Sequence, residues 1–308
     1  MPGATAKGVR AIVTATVLGA GGLAGFGALP AFAACEGLAP EQKMQNTFAQ
    51  DIGRTLDRIR EDGWIEIAVY EDYAPWSWQE NGKARGVDVE IAKLVAETLG
   101  VKATIRFVQA DETLDADLRN YVYKGAVVGG HVSDLFMHVP YDVDYACRFD
   151  QVVFTGLYGE EHLAIAYSEA AYPEDKPTPA FFRFDTVGVE NDSISDFYLG
   201  SVAHGAGADK VHRYKTTLEA MEGLRTGEVM AVMGPRAELE AGATEGIGLH
   251  EPPLLGLQRS KWTLGLALSF QHRPLGYAVD DAIAEALADG RIAAIFAEYG
   301  LSFTPPLR

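Results

Sequence analysis

Trp64-Ile65-Glu66-Ile67-Ala68-Val69-Tyr70, then Gly86-Val87-Asp88-Val89-Glu90-Ile91-Ala92-Lys93, then the run from Lys102 to Val108, is the stretch that decides the fold. The first segment alternates and is rich in β-formers, which predicts a strand. The second opens an apolar-periodic run from Val87 to Leu99 that stops at Gly100, a helix with its usual terminator. The third is again strand-like. Strand, helix and strand at this spacing form a βαβ unit, so the class is α/β with a largely parallel sheet. Between the first strand and the helix lies a turn-rich segment holding Tyr73, Pro75, Trp76 and Trp78.

Downstream the pattern repeats. Asp117 to Lys124 reads as helical, Ser133 to Val139 as a strand, and Gln151 to Phe154 and Leu163 to Tyr167 as two further strands. Thr186 to Glu190 reads as a strand, with Ser193 or Ser195 capping the next helix. Thr217 to Arg225 reads as a short helix and Glu228 to Met233 as an apolar strand. A strand from Leu264 to Ser269 precedes helices Leu275 to Leu287 and Ile292 to Tyr299. Upstream, Met44, Phe48, Ile52, Leu56 and Ile59 recur at helical spacing with charges between them, predicting an amphipathic helix within an extension over 34–62. Its stripe packs onto its own domain or onto a partner protein.

The chain carries 26 Lys plus Arg against 43 Asp plus Glu, a formal charge of −17. With no basic run, it is poorly suited to nucleic acid or an anionic bilayer, and both partners are set aside. Its hydrophobic content of 48% is enough for a real core. Lys7 and Arg10 precede an apolar Ala/Gly-rich run to Leu29 and then Pro30-Ala31-Phe32-Ala33, so residues 1–33 read as a cleaved secretory signal peptide and the destination as the periplasm. Two cysteines, Cys35 and Cys147, in an exported chain predict a disulfide closing a long loop, worth about 4 to 5 kcal/mol on the chain-entropy model. The rival reading makes Phe32-Ala33-Ala34-Cys35 a lipobox with Cys35 lipidated. Neither the cysteines nor the seven histidines, His131 and His138 among them, show metal-ligand spacing. Asp142, Asp144 and Asp150 lack the glycine and terminal Glu of a calcium loop.

Tyr73-Ala74-Pro75-Trp76, Gly86 to Lys93, Val187-Gly188-Val189-Glu190 before a Ser-bearing helix start, and Ala288-Asp289-Gly290 before a last helix closing on Tyr299-Gly300 together resemble a type II periplasmic solute-binding protein of family 3. That class is best known as the amino-acid-binding components of ABC importers. The resemblance runs from about Glu66 to Leu301. It implies two lobes, each with a mixed, largely parallel sheet, joined by a two-strand hinge: 63–163 with 266–308, and 164–265. The chain would cross near Leu163 to Tyr167 and return near Trp262 to Leu266.

The resemblance also implies a ligand site between the lobes, where strand ends and helix starts favour an anion. Arg148, six residues before Phe154, matches the family's carboxylate-binding arginine, whose guanidinium grips a carboxylate through two parallel bonds; its plainer reading is a surface arginine paired to Asp150 or Asp144. Ser193 and Ser195 would add donors or simply cap. Tyr73, Trp76 and Trp78 look like the aromatic wall, with Trp76 best matched to the stacking position. Asp88 and Glu90 read as solvated or capping charges. The chain departs from the family at Met233-Gly234-Pro235-Arg236, where Pro235 replaces the Asp that holds a ligand ammonium, and at His138-Val139-Pro140-Tyr141-Asp142. The first departure argues against an α-amino-acid ligand. Both resemble a subgroup linked to periplasmic quinoprotein alcohol dehydrogenases of methylotrophs. The expectation is capture of a small carboxylate-bearing molecule, for an ABC permease or for delivery to a partner, with Tyr141 and Gly234 completing the expected ligand-binding residues. On the subgroup likeness the chain would instead be an accessory of the dehydrogenase or a binder of its quinone cofactor, and a polyanion such as pyrroloquinoline quinone, stacked on Trp76, would meet Arg148, Arg236 and His138. No nucleophile with its base is present, and no reaction is expected.

Overall fold

A computed structural model describes residues 52–128, 130–202 and 207–307. The predicted leader, Cys35 and the first half of the amphipathic stripe lie outside them. The described chain opens with helix α1 (Leu56–Asp62), where the Thr55 side chain accepts from the Arg58 N–H. Ile52 to Arg54 precede this cap in non-helical backbone, so among the described residues the stripe is helical from Leu56 and not at Ile52. Gly53, with φ +80°, takes a conformation that interrupts a helix.

The βαβ unit forms as its pattern requires. Strand β1 (Trp64–Tyr70) lies parallel to β4 (Lys102–Val108), and helix α2 (Val87–Thr98) crosses between them. A small hairpin, β2 (Trp78–Glu80) with β3 (Lys83–Arg85), fills the turn-rich segment. Helix α3 (Leu114–Leu118) runs into a π-turn over Arg119–Tyr123. Strand β5 (Leu135–Tyr141) joins β1 on its other side in parallel and leads to the short helix α4 (Val143–Ala146).

The two strands predicted around Gln151 and Leu163 are one. Strand β6 runs unbroken over 17 residues, Val152–Ser168. Its middle carries Gly156, Gly159, Glu160, Glu161 and His162, poor strand formers, which is why local propensity splits it. The ladder to β11 (Lys261–Ser269) holds that middle in place, with a bulge where Gly156 adopts φ +57°.

Beyond His162 the pairing changes partner. Leu163 to Tyr167 pair with β9 (Ala231–Pro235), and β10 (Ile247–His250) pairs on the opposite edge. Strands β7 (Val187–Glu190) and β8 (Val211–Tyr214) continue in parallel beyond β9. Helices α5 (Ile194–Val202), α6 (Thr217–Thr226) and α7 (Arg236–Gly242) belong to this half, and α8 (Arg273–Ala288) and α9 (Arg291–Glu298) return to the first. The sheet path β4-β1-β5-β11-β6-β9-β7-β8 is therefore two half-sheets sharing one long strand. The return crossing lies beside the outward one, with the Leu163 N–H donating to the Ser260 carbonyl at 2.7 Å.

Alternation along the strands sorts the core by face. Ile65, Ile67 and Val69 pack with α2, α8 and α9, while Ala68 and Phe136 pack with Leu118 and Val122. In the other half Ile165 and Met233 face one cluster, and Ala166 and Val232 the other.

Candidate functional site

Parallel strands of both half-sheets end on a common cavity of about 830 Å³. Tyr70 closes β1, Pro140 and Tyr141 close β5, and Glu190 closes β7; Ile194 opens α5 and Thr216 caps α6. Ligand crevices form at the carboxyl ends of strands because the loops and helix starts converge there. Five aromatic side chains, Tyr70, Tyr73, Tyr141, Tyr145 and Trp262, line the walls, offering rings for stacking.

Four of the predicted contacts line this cavity: Tyr73, His138, Tyr141 and Arg148. Trp76 does not. It is 1% exposed and packs edge-on against Phe296 at 5.8 Å. The turn from Tyr73 to Ser77 closes on itself, Tyr73 N–H to Ser77 carbonyl and Trp76 N–H to Tyr73 carbonyl, both 2.8 Å. This geometry turns Trp76 into the core and leaves Tyr73 on the cleft. Trp78 starts the small hairpin and meets Tyr299 edge-on. Ser193 accepts from the Asp196 N–H as a cap for α5, and Ser195 is buried behind it; Ile194, between them, reaches the cavity. Gly234 is buried in β9 against Thr217, where a side chain would clash. Arg236 opens α7 and is paired to Glu240 at 2.8 Å and Glu251 at 2.6 Å, away from the lining.

His138 sits on the cavity floor, 8% exposed, with φ +60° in the middle of a strand. The register between β5 and β11 shifts over this stretch, and such strained backbone persists only when neighbours fix it. Asp88 does so. Its carboxylate accepts from His138 Nδ1 at 3.0 Å and from the Tyr158 hydroxyl at 2.7 Å. Asp88 is 0% exposed, which corrects its reading as a solvated or capping charge; only Glu90 is of that kind, paired to Lys93. The Tyr73 hydroxyl lies 3.4 Å from His138 Nε2 on the cavity side.

The rim is charged. Arg148 makes no ion pair among the described residues, Asp144 and Asp150 included, and its guanidinium lies over the Tyr145 ring at 5.2 Å. Asp142 caps α4 by accepting from the Tyr145 N–H at 2.8 Å and pairs with Arg259. Burial works against its charge, yet the bonds from Arg259 and the Tyr145 N–H hold its carboxyl below the usual range. Asp117 accepts from the Tyr70 hydroxyl and the Asp111 N–H; burial outweighs both bonds and pushes its carboxyl up. Glu71, Asp72 and Glu190 complete an acidic lining against two arginines and His138.

Sequence reasoning passed over Tyr70, Asp117, Glu190, Thr216, Arg259 and Trp262. The strand-end rule applied to Tyr70 and Glu190 would have found those two. Arg259 and Trp262 had no local signal, because they reach the cavity only through the return crossing. Where the resemblance places an ammonium-binding Asp, Pro235 caps α7, and Glu238 one turn further is buried behind Tyr73. Cys147 ends α4, next to Arg148; its predicted partner Cys35 lies outside the described residues. Among the described residues no cluster of His, Cys, Asp and Glu forms a metal site, and no helix is long and apolar enough to cross a membrane.

Residues 65–121 match the family model for bacterial extracellular solute-binding proteins, family 3. Cyclohexadienyl dehydratase of Pseudomonas aeruginosa is 43% identical over 51 residues, a match taking in 16% of this chain and 19% of that protein. Among solved structures, an ancestral cationic amino acid solute binding protein superposes with a TM-score of 0.66 at 20% identity, over 80% of this chain and 99% of that one. An amino acid ABC transporter substrate-binding protein from Streptococcus pneumoniae, bound to L-arginine, gives 0.58 at 18% identity, over 82% and 100%. The chain has the two-lobed type II fold of these solved binding proteins, and residues 65–121, from β1 into the π-turn, match the family 3 model.

Proposed function

We propose that this chain is an exported, periplasmic solute-binding protein of family 3 that captures a small carboxylate-bearing molecule between its lobes, for ABC import or delivery to a partner protein. The observation that carries the reading is Arg148: a guanidinium on the cavity wall, stacked on Tyr145 and without an ion pair among the described residues. Arg148 is exposed on the cavity wall, and a guanidinium placed there can grip a carboxylate in two-pronged fashion while stacked on an aromatic ring. Glu190 gives the other lobe a carboxylate on the same cavity, a counterpart for the one lost at Pro235. A ligand with an ammonium as well as a carboxylate suits this lining, which returns amino acids to consideration and agrees with the amino-acid-binding neighbours. A second reading, pyrroloquinoline quinone bound for a periplasmic quinoprotein dehydrogenase, is favoured by the volume and the aromatic walls. The acidic lining weighs against it, since a polyanion would meet Glu71, Asp72, Asp117, Asp142 and Glu190.

The reading is of capture rather than turnover, with closure driven by contacts in both lobes. A thermal-shift screen against amino acids, dicarboxylates and the quinone separates the readings, because a ligand that binds only the native state raises the melting temperature. Incubation of each hit, followed by mass analysis, checks for turnover. For a carboxylate hit whose binding desolvates Arg148, Arg148→Ala is expected to weaken binding by about 2 to 4 kcal/mol; unchanged affinity by titration calorimetry removes the carboxylate assignment.

A further inference from the structure

Helix α7 belongs by sequence and pairing to the second half-sheet, yet it is seated against the first. Ala237 is 5% exposed and packs in the cluster built on Ile65, Ile67 and Trp76. Glu240 accepts from the Ser302 N–H at 2.7 Å. Glu238, 4% exposed, has the hydroxyls of Tyr73 from the first lobe and Thr217 from α6 as its polar neighbours. Glu161 lies on β6 two residues before the pairing passes from β11 to β9, 3% exposed, with Oε1 accepting from the His162 N–H at 2.8 Å and Oε2 without a hydrogen-bond partner among the described residues. Two buried carboxyl groups thus occupy the seam between the lobes, one on the crossing strand and one on the helix that bridges it.

The charges around them do not offset a pair of anions. Glu190, at the end of β7, adds a third carboxylate, held by the Thr217 N–H and hydroxyl at 3.0 and 2.9 Å. Asp88, on α2, faces Tyr73 from behind. Arg236 is committed to Glu240 and Glu251, and His162 to Glu160 and Glu251. His138, on β5, and the N–H groups of His162, Ala237 and Arg236 are the groups that favour the Glu161 carboxylate. A buried charge without a partner is costly, and a carboxyl group avoids the cost by holding its proton.

We infer that this seam is a proton-operated hinge: with a proton held on the Glu161–Glu238 pair the lobes rest against each other, and ionisation of the pair drives them apart. Burial, reinforced for Glu238 by the anions Glu190 and Glu161, pushes Glu161 up to about 7 and Glu238 up to about 8. Opening would return both to water and to ordinary carboxylate behaviour, so closing takes up protons. The closing equilibrium then falls about tenfold per pH unit for each proton taken up, across the interval between the open and closed values.

The test needs no ligand, so its outcome is independent of what the cleft binds. Small-angle X-ray scattering on the exported chain, from pH 6 to pH 9 at constant ionic strength, should show the radius of gyration rising with pH. Each single variant, Glu238→Gln or Glu161→Gln, leaves the other buried carboxyl to ionise and should expand less than the wild type, while the double variant, which keeps both shapes and removes both charges, should hold the chain compact through pH 9; should the double variant fail to fold, the single variants still give the test. A wild-type radius that stays constant across the range overturns the inference, as do variants that expand like the wild type. So does a radius that follows potassium concentration at fixed pH, which would mean a cation rather than a proton neutralises the pair.

Discussion

Replacing Asp88 by Ala is the sharpest test of how the cavity floor is held. Asp88 is fully buried and accepts from His138 Nδ1 and the Tyr158 hydroxyl, themselves 8% and 0% exposed. The substitution leaves two buried donors without an acceptor, each costing about 1 to 3 kcal/mol. Small gains in helix propensity offset about 0.5 kcal/mol of this. The net loss is about 1.5 to 5.5 kcal/mol, a range that takes in the cost of removing one partner from a buried pair. Asp88→Asn keeps the shape and one acceptor, so about half that loss is expected. Urea unfolding at pH 7, followed by circular dichroism, reads both as a lower midpoint at unchanged slope. Because the network fixes the strained backbone at His138, a ligand found by screening should also bind Asp88→Asn more weakly. A loss below about 1 kcal/mol for Asp88→Ala would show that the floor is held by packing and that the network adds nothing.

Gly86, with φ +123°, has no room for a side chain: a Cβ there would lie 2.1 Å from the Trp76 carbonyl oxygen. Gly86→Ala should therefore cost about 3 kcal/mol or more, read as a lower thermal midpoint, from strained backbone and displaced chain together. The buried pair Glu161 and Glu238 gives stability a direction with pH. Both values lie above the ordinary 4.5, so the folded state binds more protons than the unfolded, and this contribution is full below about 4.5 and lost as pH rises through 7 and 8. Urea midpoints should fall between pH 5 and pH 8.5 and fall less in Glu238→Gln. Carboxyls held below the usual range, among them Asp142 and Glu251, act only at lower pH and in the opposite sense.

The sequence alone determined the βαβ unit, the α/β class and the position of most helices, because periodicity and terminators such as Gly100 and Gly300 are local properties of the chain. It also placed Tyr73, Tyr141, His138 and Arg148 near one another in expectation, since strand ends and the family resemblance point to the same face. The tertiary structure decided what local pattern could not. Strand β6 runs through Gly156 to His162 because β11 pairs with it there, against the propensity of its own residues. Trp76 is core and Tyr73 is wall because one closed turn orients both, and a spacing rule cannot tell which of two nearby aromatics faces inward. Asp88 is a buried acceptor rather than a surface charge because His138 and Tyr158, 50 and 70 residues away, fold onto it. Arg259 and Trp262 reach the cleft, and Glu161 shares the seam with Glu238, only because the chain crosses between lobes twice at neighbouring points, and residues brought together by a crossing leave no trace in the sequence around either of them.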